Sequence, residues 1–192
     1  MKSWFALICL FLSSFVALEL SASANNLHLI DKDNNSGFAI FRYSKPSRQD
    51  VRMLCNLGVA EVMVLSGTAG EHEMRYNQEC PSLKVIYNFK QGADIPVTTD
   101  FLKFFDSWVS EARATGKRIA FRCECGCHRT GRLAAYYQMK YQGLTPADAI
   151  AVMLKHGKYM IFHPQLKPQV RDLKDVIDGL PCRQKSKHCV IR

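Results

Sequence analysis

Arg122-Cys123-Glu124-Cys125-Gly126-Cys127-His128-Arg129-Thr130-Gly131-Arg132 lies between the apolar run Ile119-Ala120-Phe121, which reads as a strand, and residues 131–141, which read as a helix. It holds a cysteine, five residues and an arginine, with Gly126 inside and Thr130-Gly131 directly after. A loop of this length can wrap a tetrahedral anion in backbone N–H groups, and the helix that follows adds the positive end of its dipole. Arg129 offers a planar fork for two phosphate oxygens, which a lysine would not reproduce. The same donors stabilise a thiolate, so they are expected to lower the pKa of Cys123. A thiolate beside bound phosphate is equipped for covalent phosphoryl transfer.

The sequence on either side alternates between strand-like and helix-like segments. Residues 38–43, 59–65, 83–89 and 118–122 are apolar runs that read as strands. Residues 47–57 read as a helix, with Ser47 and Asp50 spaced as a capping box. Phe101, Phe104, Phe105, Trp108, Val109 and Ala112 fall on one helical face, and Gly116 stands where that helix stops. Thr145, Pro146 and Asp148 supply an N-cap, a proline at the first helical position and an acid at the third, opening another helix. Residues 168–177 form a last amphipathic helix, and the polar stretch 69–80 is read as helical too. This alternation predicts a single α/β domain with a mainly parallel central sheet flanked by helices. The Cys123 loop would then join a central strand to a helix, at the end of the sheet where such folds bind ligands.

Ahead of this pattern, residues 1–24 read as a cleaved signal peptide. Lys2 precedes a mostly apolar stretch, and Ala22-Ser23-Ala24 is a small-x-small cleavage site. Glu19 interrupts the stretch before it reaches the ~20 residues of a membrane span. The expected mature chain is residues 25–192, secreted or periplasmic, with no stable membrane insertion. Seven of the eight cysteines remain in it, an odd number in an oxidising compartment where pairing is the default. Cys55 with Cys80 and Cys182 with Cys189 are the plausible pairs. Lysine and arginine (26) exceed aspartate and glutamate (17) by nine, which suits a polyanionic partner. No basic–aromatic run or zinc-finger spacing suggests nucleic acid.

The motif Cys-x-x-Gly-x-x-Arg-Thr-Gly at residues 123–131 resembles the signature loop of cysteine-dependent protein tyrosine and dual-specificity phosphatases. Phe41-Arg42-Tyr43-Ser44-Lys45-Pro46 ahead of a helix and a Leu-Gly-Val-x-x-Val strand resembles the opening of their compact bacterial members. Glu124, directly after the nucleophile, is similar to the Cys-Glu-Ala-Gly form of the phytase-like branch. The resemblance implies a phosphoric monoester hydrolase that forms a phosphocysteine and needs no metal or organic cofactor. In that reading Cys123 attacks phosphorus. Arg129 and the loop amides of Glu124, Cys125, Gly126, Cys127 and His128 hold the oxygens, and Thr130 donates its hydroxyl to the Cys123 sulfur. An aspartate on a mobile loop serves as acid and then base. Asp94 in Gly92-Ala93-Asp94-Ile95-Pro96 stands where that loop belongs, whereas Asp100 suits the first turn of a helix.

The chain departs from the family pattern at two places. Arg122 stands where the family usually has histidine, free to answer either to an acid or to the substrate. Cys125 stands where alanine is common. Lys90, His128 and Arg132 are candidates to face additional phosphates, and Arg42 to brace the loop or cap a helix. The expected substrate is a small polyanion such as phytate, with a phosphotyrosine or phosphoserine/threonine protein as the competing enzyme reading. A thiol-rich metal or redox site is a further alternative, because Cys123, Cys125, Cys127 and His128 are all suitable ligand types. A phosphate-binding module without catalysis is the last.

Overall fold

The computed structural model describes residues 26–192, so the predicted signal peptide lies outside the described residues. Five strands form one sheet: β1 (His28–Lys32), β2 (Ala39–Tyr43), β3 (Val59–Val64), β4 (Lys84–Asn88) and β5 (Arg118–Arg122). Their order is β1-β2-β5-β3-β4, and β1 alone runs antiparallel to its neighbour. β5 is therefore the middle strand, flanked in parallel by β2 and β3. Five helices accompany the sheet: α1 (Arg48–Asn56), α2 (Thr99–Thr115), α3 (His128–Tyr141), α4 (Pro146–Lys155) and α5 (Leu166–Ile177). The expected single α/β domain with a mainly parallel sheet is thus the fold found.

Alternation along the strands divides the core in two. Ile40, Met63, Ile119 and Phe121 point to the face covered by α2–α5, where they meet Phe105, Trp108, Leu133, Tyr137 and Leu173. Phe41, Val62, Val64 and Ala120 point to the other face and pack with Leu54 of α1. The inner strands β2, β5 and β3 are largely buried on both sides, which is why they read as nearly unbroken apolar runs, whereas the edge strand β4 is only half-buried. The helix boundaries follow local chemistry. Ser47 and Asp50 form the reciprocal capping box of α1, and Thr145 caps α4 through the Asp148 N–H. Gly116 ends α2 with φ of 66°, and a Cβ there would sit 2.1 Å from the Ser36 carbonyl oxygen. Only glycine fits that turn.

Several boundaries differ from the sequence reading. Residues 69–80 contain only two short 3-10 turns, Ala69–Glu71 and Asn77–Glu79, because the segment lacks an apolar stripe and is organised around the buried carboxylate of Glu73. α3 starts at His128, three residues earlier than its apolar pattern suggests, which places Arg129 and Thr130 in its first turn. α5 starts at Leu166 rather than residue 168. β1, too polar to stand out in the sequence, adds an edge to the sheet. Cys55 pairs with Cys80, and Cys182 with Cys189, as anticipated. Among the described residues, no helix is long and apolar enough to cross a membrane.

Candidate active site

Cys123 is the first residue after the central strand and is fully buried. The turn from β5 into α3 is tight because of Gly126. Its φ is 65°, and a Cβ would lie 2.5 Å from the Tyr43 carbonyl oxygen and 3.0 Å from Asn26 Nδ2. Backbone bonds from Lys45 N to Glu124 O (2.8 Å) and from Leu65 N to Arg122 O (2.7 Å) anchor the loop to the β2 and β3 ends. Asn26 holds its other side: Nδ2 donates to the carbonyls of Cys125 (3.1 Å), Gly126 (3.0 Å) and His156 (3.2 Å). These donors hold the loop carbonyls, the geometry an anion cradle needs if its N–H groups are to converge, while the Cys127 N–H donates to the Cys125 sulfur at 3.1 Å.

Two buried arginines support this loop from below. Arg42, on β2, donates through Nη2 to the Gly126 carbonyl, so it braces the loop and does not cap a helix. Burial lowers its pKa to about 10, and the three loop thiols pull the other way. Arg122 was a candidate substrate contact, but its guanidinium points into the protein. It forms a two-pronged ion pair with Glu73, the two side chains being 0% and 1% exposed. Its Nη1 also donates to Ser66 Oγ (3.0 Å) and Thr68 Oγ1 (3.1 Å), and the Tyr43 hydroxyl donates to Glu73 (2.8 Å). Arg122 answers to an acid, because a buried guanidinium needs a buried counter-charge. The Thr68 hydroxyl continues the network to the Glu124 carboxylate at 2.8 Å. Burial pushes the Glu124 pKa up, but Thr68, Arg122 and Lys45 hold it below the usual range.

Arg132 is the second correction. It is buried, and its Nη1 donates to the Ile95 carbonyl (2.7 Å) and the Gln169 side chain, while Nη2 reaches the Gly92 carbonyl (3.3 Å). Arg132 therefore staples the 92–96 loop to α3 and α5 and does not face substrate. Burial lowers its pKa to about 10, and the charge of Arg129 adds to that. Arg129 lies in the first turn of α3, with Nη1 donating to the carbonyls of Leu65 (3.1 Å) and Gln91 (3.2 Å). These carbonyls follow β3 and β4, so the guanidinium is held across the strand ends beside the loop. Lys90 is exposed next to Gln91, on the rim.

Asp94 occupies the loop between β4 and α2, its expected place in the chain. Its carboxylate, 71% exposed, meets His163 Nδ1 at 3.2 Å, and its main-chain carbonyl accepts from Gln169 Nε2 at 3.3 Å. Asp100 lies in the first turn of α2 and pairs with Lys103 on the solvent side, as helix chemistry predicts. His163 was not singled out from the sequence. It joins the site through the fold, and its ring packs on His128 with centroids 4.1 Å apart. His128 in turn contacts the Lys158 carbonyl (2.7 Å) and the Cys125 sulfur (3.7 Å).

The thiols depart from expectation. The neighbouring Cys125 thiol, with burial second, pushes Cys123 up to about 12, against the pull of the Thr130 hydroxyl and N–H. Thr130 Oγ1 is buried without a hydrogen bond of ordinary geometry. Cys127 moves the opposite way, to about 7, chiefly through its hydrogen bond with Cys125. The cradle alone was expected to lower Cys123; the adjacent sulfur outweighs it. As for a metal, no three of Cys123, Cys125, Cys127 and His128 have ligand atoms within 4.8 Å of one another, the spacing one ion would need.

No protein-family model matches the sequence. Solved structures do match the fold. P. aeruginosa TpbA is 20% identical with a TM-score of 0.58, the match covering 82% of this chain and 98% of that one. A TpbA variant has been solved in complex with pTyr. PTPMT1, solved in complex with PI(5)P, is 15% identical with a TM-score of 0.60, covering 80% and 97%. The core catalytic domain of the PP-IP phosphatase SIW14 from S. cerevisiae, solved with citrate, is 14% identical with a TM-score of 0.57, covering 81% and 92%. With the Cys123 loop leaving the middle strand of a mainly parallel sheet, this chain has the fold of these solved phosphatase structures.

Proposed function

We propose that this chain is an exported, cysteine-dependent phosphomonoesterase that works through a phosphocysteine. The observation that carries the reading is the setting of Cys123. It ends the central strand at the start of a loop whose carbonyls are held by Asn26 and Arg42, with Arg129 held alongside by two carbonyls. Cys123 Sγ attacks phosphorus, and the S–P bond forms as the bond to the leaving oxygen breaks. Asp94 gives its proton to that oxygen. Water then attacks the phosphocysteine, Asp94 takes the water's proton, and phosphate departs from the regenerated sulfur. A thiol with a phosphate dianion and a thiolate with a monoanion carry the same number of protons. The raised pKa of Cys123 therefore lowers the population of the reactive form without forbidding attack.

The substrate we propose is an inositol polyphosphate such as phytate. Glu124 after the nucleophile, the export-type N-terminus and the nine-charge excess support it, and a fold neighbour is named as a PP-IP phosphatase. A phosphotyrosine substrate is favoured instead by the TpbA–pTyr complex. Phosphate release from inositol hexakisphosphate and from phosphotyrosine peptides, compared under reducing conditions, separates the two. Higher kcat/KM on the inositol is the expected result, and the reverse order would replace it with the peptide reading. Cys123→Ser should abolish turnover of both while phosphate still binds. Turnover that persisted would remove Cys123 as nucleophile.

A further inference from the structure

Isolated apolar side chains at a surface are ordinary, whereas a contiguous set rimmed by charge marks a contact surface. The loop joining α4 to α5 carries such a set. Tyr159, Ile161 and Phe162 are 74%, 82% and 69% exposed, so three of four successive side chains stand out from the protein. The backbone holds them there. Tyr159 has φ of 55°, a left-handed conformation that bulky residues rarely adopt, and it opens the short 3-10 turn Met160–Phe162. The turn is closed by the Phe162 N–H on Tyr159 O and the His163 N–H on Met160 O, both at 3.1 Å. Met160 is its inward anchor: it packs on the main core, and a Cβ on Gly157 would lie 2.5 Å from its Cγ.

Positive charge surrounds this apolar tip. Lys158 directly precedes the turn, Lys155 ends α4 and Lys167 lies in the first turn of α5, all three exposed. None of them joins the lysine ion pairs found among the described residues. No aspartate or glutamate occurs in the sequence between Asp148 and Asp172, and the acid that reaches the loop from elsewhere is Asp94, against His163. The loop is fastened beside the Cys123 site, since the Lys158 carbonyl contacts His128 Nε2 at 2.7 Å and the His163 ring stacks on His128. Apolar and aromatic side chains ringed by free ammonium groups complement a surface with anionic headgroups over hydrocarbon.

We propose that the 159–162 loop is a peripheral membrane seat. Tyr159, Ile161 and Phe162 enter the interfacial layer of an anionic bilayer, and Lys155, Lys158 and Lys167 meet its headgroups. The chain lies on the bilayer and does not span it. A second copy of the chain suits this surface less well, because a symmetric pairing would bring the same three lysines of both copies together. A stable protein interface covers ~800 Å² on each partner, more than three side chains on one short tip supply. A bilayer needs no such area, since each apolar side chain gains by insertion on its own. The seat does not depend on the phosphatase reading and is tested without turnover.

The test is co-sedimentation with mixed phosphatidylcholine–phosphatidylglycerol vesicles and with pure phosphatidylcholine vesicles. The processed chain is used, so that the apolar run of the signal peptide cannot bind lipid in its place, and a spin without vesicles controls for aggregation. Partition into the mixed vesicles should exceed that into the neutral ones by roughly tenfold or more, and the difference should shrink in high salt. Ile161→Asp should lower partition into the mixed vesicles by at least ~tenfold. Lys155→Gln/Lys167→Gln should lower it by a similar factor and weaken the salt dependence. Ile161→Trp should raise it, because tryptophan favours the membrane–water interface. Equal partition into both kinds of vesicle, or binding unchanged in Ile161→Asp, would overturn the seat. So would an absence of vesicle binding, and self-association abolished by Ile161→Asp would then assign this face to a second copy.

Discussion

Replacing Cys125 by alanine should make the Cys123 thiol, the proposed nucleophile, easier to ionise. The Cys123 thiol stands about three pKa units above its ordinary value of 9.0, and the Cys125 sulfur is the largest contributor, ahead of burial. Three units correspond to about 4 kcal/mol against forming the thiolate. At neutral pH the reactive anion would then be roughly one part in 10^5, against roughly one in 10^2 for an unperturbed thiol of this kind. Removing the Cys125 sulfur leaves burial in place and keeps the Thr130 contributions, so recovery is partial. A fall of at least ~1 unit is expected, about tenfold more thiolate. The clean measurement compares Cys127→Ala with the Cys125→Ala/Cys127→Ala double variant, because the latter leaves Cys123 the only free thiol among the described residues. Thiolate ultraviolet absorbance titrated against pH gives the shift directly. The acid limb of kcat/KM should move the same way. A Cys123 titration that stays put or moves upward in the double variant would refute the reasoning, because Cys125 would then not be what suppresses the anion.

Other consequences follow from the supports around the loop. Glu73→Gln removes the counter-charge of a fully buried Arg122, so unfolding in urea should show a loss of about 3–5 kcal/mol, and a loss below ~1 would mean the pair is not what solvates that guanidinium. His156 is depressed to about 4, first by burial and then by Arg42 and His28, whose ring lies 4.1 Å away. A depressed folded-state pKa stabilises above the unfolded value of 6.5, so stability should decline as pH falls from there to about 4; His156→Gln should flatten that slope in thermal melts, and an unchanged slope would exclude it as the source. Asn26→Ala deletes three donated hydrogen bonds, two of them to the loop, and should raise KM for phosphate esters several-fold with a modest drop in Tm; an unaltered KM would show that the loop keeps its shape without this clamp.

Legibility in the sequence tracked the range of the interaction responsible. Buried parallel strands are continuous apolar runs, and the caps at Ser47, Thr145 and Gly116 lie within three residues of the turns they make, so sheet and most helices could be read directly. The spacing within residues 123–131 likewise carries the loop, because its amides and arginine are local to one turn. What escaped was non-local. Arg122 meets Glu73 across 49 positions, Arg132 meets Gln169 across 37, and Asp94 meets His163 across 69. Nothing in a charged side chain's neighbours says whether it will turn toward solvent or find a buried partner. β1 escaped for another reason: an exposed edge strand of five residues buries too little to need an apolar pattern. The start of α3 lay outside its apolar pattern because its first turn, His128-Arg129-Thr130, is polar and meets the Lys158, Leu65 and Gln91 carbonyls, partners distant in sequence.

The positive charge of this chain therefore has to be divided before it says anything about substrate. Arg42, Arg122 and Arg132 are internal braces, each buried and each spent on a carbonyl, an amide or a carboxylate of the protein itself. Arg129, in the first turn of α3, is the arginine left for the phosphate in the proposed reading. Under the proposed function, discrimination between a polyphosphorylated ring and a phosphopeptide falls to residues around the loop, among which Lys45, Lys90 and Lys158 are exposed. Lys45 stands 4.0 Å from Glu124, an exposed pair that a more highly charged ligand can break at little cost. Phe89, Ile95, Tyr159 and Phe162 are exposed as well, and offer apolar surface to a substrate with an aromatic or aliphatic body. Lys45 releasing Glu124 to take a second phosphate, with Lys90 or Lys158 beside it, would favour the inositol, whereas contacts dominated by the apolar residues would favour the tyrosyl group. Under the proposed function, the substrate follows from whether these lysines or these apolar side chains carry the binding energy, since a phosphate-holding loop would read only the phosphate.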